Sequence, residues 1–498
     1  MSSSTTPSTT APAPAPAPVD ASGRSGLGTR LALIALALMW PTQLLSLAGM
    51  LGGNAQASVA QHFHTTEIGW FILVNALVAT VITPFVVKFA DFYGKRNVMI
   101  VITVLGLVGD IVAALATSYG MLLVGRGIAG FYGPIAALAY ASVRELFPPR
   151  HVGAASGMIG SGIAFVALGG PFLTGRLLDS YGFRGVLWAL AAATAIGLLL
   201  LLTVVPKTPQ RVARTKVNWL GGALLGGGAA ALTYGIGKGG EWGWTDTDTL
   251  GFIVGGILAV LLYVVTDTRS AHPLFHLGMM SRRSVWTVML AASLVAATVY
   301  GTGVIAQLLV LFPKIPQVSE GLGMSATHFA VIGIPSSVLI LLVGFGTGVA
   351  LRKVDARIPL GLGALLAAVG FLLQRQWHYT DTHLMLLGTV SALAMGMIVS
   401  SAPVLIIEAV TPEEQATANG LQTMIQGVLT TVITQLVYVV LAQDSRIVQG
   451  TRFYLDAGYK NGMLLAAGLA VLGVLAVLLI PRLRPARDVE AGSAVTTA

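Results

Sequence analysis

Long apolar runs alternate with short polar connections from about residue 31 to residue 480. A run needs about 20 residues to cross roughly 30 Å of hydrocarbon at 1.5 Å per residue. The runs that meet this length predict fourteen transmembrane helices. They lie near residues 31–57, 68–87, 98–117, 121–143, 153–175, 185–205, 217–237, 249–266, 285–311, 327–350, 358–374, 383–407, 418–441 and 461–480.

The composition agrees with a chain that is surrounded by lipid. Of the 498 residues, 55% are hydrophobic and 10% are charged, whereas a soluble domain carries about 25% charged residues. The 60 glycines suit helices that pack closely in a bilayer. The absence of cysteine excludes disulfides, thiolate metal sites and thiol redox chemistry. The predicted fold class is therefore an all-α polytopic membrane protein.

The positions of the basic residues predict the orientation of the chain. With a cytoplasmic N-terminus, 20 lysines and arginines fall in cytoplasmic connections, 8 fall on the other side, and Arg126 lies within a span. Basic residues collect on the cytoplasmic side of membrane proteins. We therefore expect a multi-pass protein of the plasma membrane with both termini in the cytoplasm. The same distribution accounts for the net charge of +9 without a nucleic-acid partner.

A recurring charged loop predicts two related six-helix bundles. KFADFYGKRNVM at 88–99 follows the second span, and GVALRKVDARIPLG occupies the equivalent place in the second half. Internal repeats are typical of secondary transporters, whose substrate site lies between the halves. The predicted organisation is a disordered cytoplasmic tail rich in Pro, Ala, Ser and Thr at 1–30, bundles at 31–205 and 285–480, an inserted helix pair with its flanking loops at 206–284, and a second cytoplasmic tail at 481–498.

The loop after the second span carries the first part of a family resemblance. A motif of the major facilitator superfamily reads Gly, three residues, Asp, two residues, Gly and two basic residues. Asp91, Gly94, Lys95 and Arg96 match this motif, while Val87 replaces its leading glycine.

Further matches follow in the family's order, and together they resemble its fourteen-helix drug/proton antiporter branch over about 31–480. The antiporter motif of the fifth span is found in GGPFLTGRL, although Val166 and Thr174 stand where further glycines are usual. EWGW at 241–244 also resembles this branch. The matching residues in the spans are Trp70, Arg126, Gly170, Pro171 and Gly175.

The first span departs from this branch. Its members carry an acid there as the proton carrier, followed by a small hydroxyl residue. Ser46 stands near that place in QLLSLAGMLGGNAQASV, and the span contains no carboxylate. The proton coupling that the resemblance implies therefore needs another carrier.

The resemblance implies a monomeric secondary transporter that exports small amphipathic or aromatic compounds by alternating access, coupled to protons. No cofactor is implied, and the chain lacks the phosphate-binding loop of an ATP-driven pump. The alternative is a facilitator or importer of a specific metabolite, either uncoupled or coupled differently. A membrane enzyme is not expected, because no cluster of histidines or acids is present. A non-transporting sensor has the same sequence features, and transport in proteoliposomes would exclude it.

The loop at 88–99 has two readings. Asp91 can accept hydrogen bonds from a helix start or pair with a cation of the other bundle, and Lys95 and Arg96 can bind acids or helix C-termini. Contacts that form in one conformation and break in the other make a conformational clasp. In the simpler reading, the basic residues only set the topology. Asp91 and Gly94 have no role in that reading, so the clasp is favoured.

Asp110 and Arg126 are predicted to lie at similar depths in neighbouring spans. A charged residue near mid-membrane costs about 2.5–3.5 kcal/mol, so both should face the protein interior and be paired. Asp110 could replace the missing proton carrier, with Arg126 controlling its protonation. The pair could also be a permanent structural ion pair, or Asp110 could face outward at the edge of a cavity.

Amide side chains suggest where a substrate cavity lies. Asn419, Gln422 and Gln426 share one helix face in NGLQTMIQGVLTTVITQ, where they either line a cavity or bind another helix. Asn75, Gln307 and the pair Ser400–Ser401 are further cavity candidates. Gly169, Gly170 and Pro171 should break or thin the fifth span, or allow close packing. His62 and His64 lack the neighbours of a metal site, so no metal is expected.

Overall fold

The computed structural model describes residues 28–207, 218–270, 277–351, 353–411 and 414–482, which form helices with two short β-hairpins. Most of the predicted tails at 1–30 and 481–498 lies outside the described residues. The helices are α1 Thr29–Thr42, α2 Leu44–Phe63, α3 Trp70–Tyr93, α4 Lys95–Ala114, α5 Tyr119–Ala129, α6 Ile135–Leu146, α7 Pro149–Thr203, α8 Trp219–Trp242, α9 Thr247–Arg269, α10 Arg283–Leu311, α11 Ala326–Ile332, α12 Ile334–Ala350, α13 Arg357–Gln376, α14 Asp381–Ala409, α15 Gln415–Gln443 and α16 Asp456–Leu478.

Short irregular elements join some of these helices. Two 3-10 helices lie at Gly130–Tyr132 and Leu277–Ser281. One antiparallel hairpin pairs β1 (Lys314–Ile315) with β2 (Ser319–Glu320), and the other pairs β3 (Ser445–Val448) with β4 (Thr451–Tyr454).

Eleven helical segments of the described chain are long and apolar enough to cross a membrane. The number becomes twelve when α11 and α12, which meet at a 41° bend, count as one span. The prediction of an all-helical polytopic membrane protein is confirmed at this level. The difference from fourteen has two sources: α7 covers the two predicted spans 153–175 and 185–205, and the apolar part of α3 is the shorter segment Trp70–Thr83.

Helix α7 reverses its direction at Gly182. Its 55 residues would extend about 80 Å as one helix, far more than a bilayer. Gly182 has φ 65° and ψ −169°, a conformation that glycine adopts without a Cβ clash. On one side of it, the Ile159 carbonyl accepts a hydrogen bond from Gln43, and on the other the Ala193 carbonyl accepts one from Trp40. Residues 159 and 193 therefore lie beside the same junction of α1 and α2.

The helix ends define two faces of the molecule. The termini face holds the ends of the described chain, and there Arg357 donates to the carbonyl of Ile480. The hairpin face, at the opposite ends of the helices, holds both β-hairpins, and there Tyr119 donates to the carbonyl of Glu67.

The buried apolar residues show how the helices are grouped. We call residues 28–205 the N-terminal group, α8 and α9 the central pair, and residues 283–482 the C-terminal group. One cluster near the hairpin face contains residues of both groups, including Leu51, Phe71 and Leu308. Near the termini face, one cluster lies entirely within 34–205. Another is built from the C-terminal group with Leu225 and Tyr263 of the central pair and with Met279. Among the described residues, the two groups therefore share a core only at the hairpin face.

The central pair packs against both groups through α8. A Cβ at Gly226 would lie 2.5 Å from a methyl of Val81 on α3, and one at Gly237 would lie 2.4 Å from Nε2 of Gln435 on α15. Glycine at these positions allows α8 to lie between α3 and α15.

Candidate functional site

Arg126 is the most deeply buried cation of the N-terminal group, with 1% of its surface exposed. It lies near the end of α5, where Nη2 is 3.4 Å from the carbonyl of Ala48 and Nε is 3.5 Å from that of Phe71. Its guanidinium carbon also lies 5.3 Å from the centre of the Phe71 ring. Asn75 donates to the Arg126 carbonyl at 3.1 Å. These contacts join α2, α3 and α5, and Asn75 supports this cluster through its hydrogen bond to Arg126.

The Arg126 cluster contains two further buried polar groups, Nη1 of Arg126 and the hydroxyl of Tyr132. The hydroxyl lies beside the side chains of Asn75 and Arg126. Buried polar groups are usually paired.

Asp110 is buried beside this cluster, with 2% of its surface exposed. Its Oδ2 accepts a hydrogen bond from the hydroxyl of Thr194 at 2.7 Å. Among the described ion pairs closer than 4.0 Å, none joins Asp110 to Arg126, so the expected direct pair is absent. An Asp110 that faces outward is excluded by its burial. The second half of α7 supplies Thr194, a partner that could be found only by knowing how this segment packs on α4.

Gln307 joins the two groups at the hairpin face. Nε2 of Gln56 lies 3.4 Å from Oε1 of Gln307, and the hydroxyl of Tyr438 donates to Oε1 of Gln56. The network therefore connects α2 with α10 and α15. The sequence offered no signal that Gln56 and Tyr438 would be partners, because 382 residues separate them.

The polar stripe on α15 is partly accessible. Gln422 donates to Gln426 at 2.8 Å, and both side chains are half-buried, whereas Asn419 is exposed. The hydroxyl of Ser293 lies 3.5 Å from the Gln422 carbonyl. The role of this stripe in a cavity remains a prediction. Ser400, a weaker candidate, donates to the carbonyl of Gly344 on α12 at 2.8 Å.

The loop predicted as a clasp binds within the N-terminal group. Gly94 separates α3 from α4 with φ 83°, and Lys95 forms a 2.5 Å ion pair with Glu145 of α6. Arg96 donates to the carbonyls of Leu201 and Leu202 at the end of α7, at 3.1 and 2.8 Å. The side chain of Asp91 lies outside the described part of the structure.

The antiporter-motif residues do not break α7, contrary to one of the expectations for this segment. The helix continues through Pro171, and its reversal comes later, at Gly182. The glycines instead permit close packing. A Cβ at Gly170 would lie 1.8 Å from the terminal methyl of Met50, and one at Gly175 would lie 2.7 Å from Cα of Thr327 on α11.

Asp179 adds a second link between the groups, which the sequence analysis did not anticipate. Its carboxylate accepts hydrogen bonds from the backbone N–H groups of Ala326 at 3.1 Å and Thr327 at 2.9 Å. The Thr451 hydroxyl likewise donates to the carbonyl of Ala60. These contacts and the Gln56 network all lie at the hairpin face. Over the described residues, no group of His, Cys, Asp and Glu could hold a metal ion.

Comparison with known proteins identifies the family. Residues 31–434 match the family described as Major Facilitator Superfamily. The multidrug resistance protein Stp of Mycobacterium tuberculosis is 25% identical over 69% of this chain and 63% of its own length. The probable actinorhodin transporter of Streptomyces coelicolor is 27% identical over 72% of this chain and 63% of its own length. The chain thus spans less than two thirds of these relatives.

Solved structures agree on the fold. A bacterial homologue of the human lysosomal transporter Spinster, in an inward-facing and unoccupied conformation, has a TM-score of 0.65 and 14% identity, covering 91% of this chain and 98% of that one. A D-xylose–proton symporter has a TM-score of 0.61 and 16% identity, covering 92% and 98%. The family and these neighbours are transporters and not enzymes, as expected from the sequence. The chain belongs to the Major Facilitator Superfamily and is a multi-pass membrane protein.

Proposed function

We propose that the protein is a proton-coupled efflux transporter of the fourteen-helix drug/proton antiporter branch. It exports small amphipathic or aromatic compounds by alternating access and works as a monomer. The observation that carries this proposal is the shared core at the hairpin face and the separate cores at the termini face. Such an arrangement suits a molecule that is closed on one side of the membrane and opens on the other.

The helical segments support fourteen spans in the proposal. Dividing α7 at Gly182 and adding α3 to the count of twelve gives fourteen. In this arrangement, α8 and α9 are the inserted pair between two six-helix bundles at 31–205 and 285–480.

The termini face is cytoplasmic in this proposal, so the described conformation is inward-facing. The excess of lysines and arginines in the connections at this face supports the assignment. The clasp loop at 88–99 then lies in the cytoplasm. We expect Asp91→Asn to slow transport strongly without reducing the amount of protein in the membrane. Normal transport by this variant would contradict the clasp.

Efflux is supported by the names of relatives. One is a multidrug resistance protein, another a probable actinorhodin transporter, and a third, of Dothistroma septosporum, is the efflux pump dotC. Their identities of 25–27% leave the substrate of this chain to experiment.

Asp110 is the proposed proton carrier in place of the acid missing from the first span. It is a buried carboxylate with a single described hydrogen-bond donor, Thr194, close to the buried charge of Arg126. Protonation of Asp110 would change the field around Arg126, whose contacts join three helices. The absence of a carboxylate from the first span favours the alternative, a facilitator without proton coupling.

Flux in proteoliposomes tests the proposal. Purified wild type, Asp110→Asn and the control Asp248→Asn, an exposed acid on α9, are compared with and without a pH gradient. The substrates are a panel of lipophilic cations and aromatic antibiotics. We expect gradient-driven flux in the wild type and the control, with loss of the gradient dependence in Asp110→Asn. If the flux of all three proteins is the same with and without the pH gradient, the antiporter proposal is wrong and the protein is a facilitator.

A further inference from the structure

A cavity of about 150 Å³ opens at the hairpin face, where all three parts of the molecule meet. The connection before α3 contributes Glu67, and α3 begins with Trp70. The end of α8 contributes Lys238 and Glu241, and α15 contributes Gln435. Tyr438, Arg452 and Tyr454 complete the part of the lining used below. The cavity is separate from the Arg126 cluster and from the polar stripe of α15.

Gln435 lines this cavity and carries a buried acceptor without a partner in the described part of the chain. Only 6% of the residue is exposed, and its Oε1 has no hydrogen-bond partner among the described residues. Its Nε2 packs against Gly237, where a Cβ would come within 2.4 Å of that nitrogen. A buried acceptor without a partner costs free energy, so a ligand that donates a hydrogen bond here is favoured.

The charged residues show which kind of donor fits. The ammonium of Lys238 forms ion pairs with both Glu67 and Glu241, the latter at 2.8 Å. An ammonium group is thus already held between two carboxylates at this cavity. A second ammonium could share these carboxylates and donate to Gln435.

The remaining lining defines the rest of the ligand. Trp70, Tyr438 and Tyr454 provide aromatic surface, which attracts both apolar bodies and cations. Nε of Arg452 is a buried donor with no partner among the described residues, so it can serve a neutral oxygen. A cavity of this volume holds about one aromatic ring with a short side chain.

We propose that this cavity is a binding site for a small aromatic primary ammonium ion that also carries a neutral oxygen acceptor. The ammonium binds Gln435 and the carboxylates of Glu67 and Glu241, in competition with Lys238, and the oxygen accepts from Arg452. Because the walls come from both helix groups, the site exists only while the hairpin face is closed. That an exported amine occupies this site before it leaves the protein rests on the proposed function. The binding of the amine does not depend on the proposed function.

Ligand binding to the full chain in lipid nanodiscs, measured by calorimetry in the absence of a pH gradient, tests this site. The probes are 2-phenoxyethylamine and its neutral analogue 2-phenoxyethanol. We expect the amine to bind at least about tenfold more tightly than the alcohol, as a charge-assisted hydrogen bond requires. Equal affinities for the two probes would overturn the proposal.

Variants locate the binding. Gln435→Leu should weaken amine binding at least about fivefold, while Gln61→Leu, at an exposed glutamine of the same face, should leave it unchanged. Gln435→Glu should tighten it, because a carboxylate replaces the amide at the same place; this variant covers the case in which Gln435→Leu does not fold. Unchanged binding in both Gln435 variants would overturn the site. The binding experiment measures no flux. A failure of proton-driven transport would therefore not contradict amine binding, and a failure of amine binding would not contradict proton-driven transport.

Discussion

The hydroxyl of Tyr438 donates a hydrogen bond to the amide oxygen of Gln56, which fixes α15 to α2 at the hairpin face. Gln56 in turn contacts Gln307 on α10. These side chains are uncharged, so the link needs no change of protonation to form or break. The contact thus holds the two helix groups together at the hairpin face, and single substitutions can weaken it without removing a charge.

Tyr438→Phe should favour the state that is open at the hairpin face. Loss of one neutral hydrogen bond costs about 1 kcal/mol, which shifts a two-state equilibrium about fivefold. The chain has no cysteine, so spin labels at Gln61→Cys and Val448→Cys can report the distance across this face. We expect a larger population of long distances than in the control Tyr300→Phe, which alters an exposed tyrosine. Identical distance distributions would show that this hydrogen bond does not hold the face closed.

Gly175→Ala should disturb the same closure, while Gly170→Ala should be tolerated. A Cβ at residue 175 would meet backbone atoms of Thr327 on the other helix group, which cannot move alone. A Cβ at residue 170 would meet only the flexible end of Met50. Overpacking of the first kind costs about 1–3 kcal/mol. The spin-label distances should therefore lengthen in the first variant only, and a similar response of both variants would contradict this account.

Arg126→Lys should reduce transport about tenfold or more while the protein still inserts. A lysine ammonium cannot reach the carbonyls of Ala48 and Phe71 together, so at least one charge-assisted hydrogen bond is lost. Flux in proteoliposomes and the thermal unfolding midpoint in detergent should both decrease. Full activity in Arg126→Lys would show that only the positive charge matters at this position.

Asp355 should contribute stability that depends on pH. Hydrogen bonds from Arg357 hold the pKa of its carboxyl below the usual value of 3.8. A lowered pKa stabilises the folded state above the unfolded-state value, and this contribution is lost as the pH falls through the folded-state value. Asp355→Asn should therefore cost about 0.5–1 kcal/mol at pH 7, and the difference from the wild type should shrink as the pH falls below the usual value of 3.8. Thermal unfolding over a series of pH values, with Asp248→Asn as control, measures this. A difference that persists at low pH would exclude the ion pair as its cause.

The sequence predicted the features that depend on local patterns. Apolar run length located the helices, because the bilayer requires about 20 apolar residues per span. Close packing was one of the two expectations for Gly169, Gly170 and Pro171, and a Cβ at Gly170 would lie against Met50. The basic pair Lys95 and Arg96 was expected to bind an acid and a helix C-terminus, and it contacts Glu145 and the end of α7.

Contacts between distant segments could not be predicted in this way. Thr194 reaches Asp110 across 84 residues, and the start of α11 reaches Asp179 across 147. No periodicity in the sequence encodes such pairs, because they depend on how complete helices pack. For the same reason, the hydrogen bond from Asn75 to the Arg126 carbonyl could not be predicted from the sequence.

The apolar cluster shared by the two helix groups has a consequence for ion leakage. Leu51, Phe71 and Leu308 belong to a dry contact that spans the boundary between the groups. Water wires and protons cannot pass through such a contact without first hydrating it, which is unfavourable for apolar side chains. In the proposed transport cycle, the cluster would let the protein expose its interior on one side while the membrane keeps its electrochemical gradient. Polar substitutions within it should make the membrane permeable to protons even when no substrate is moved.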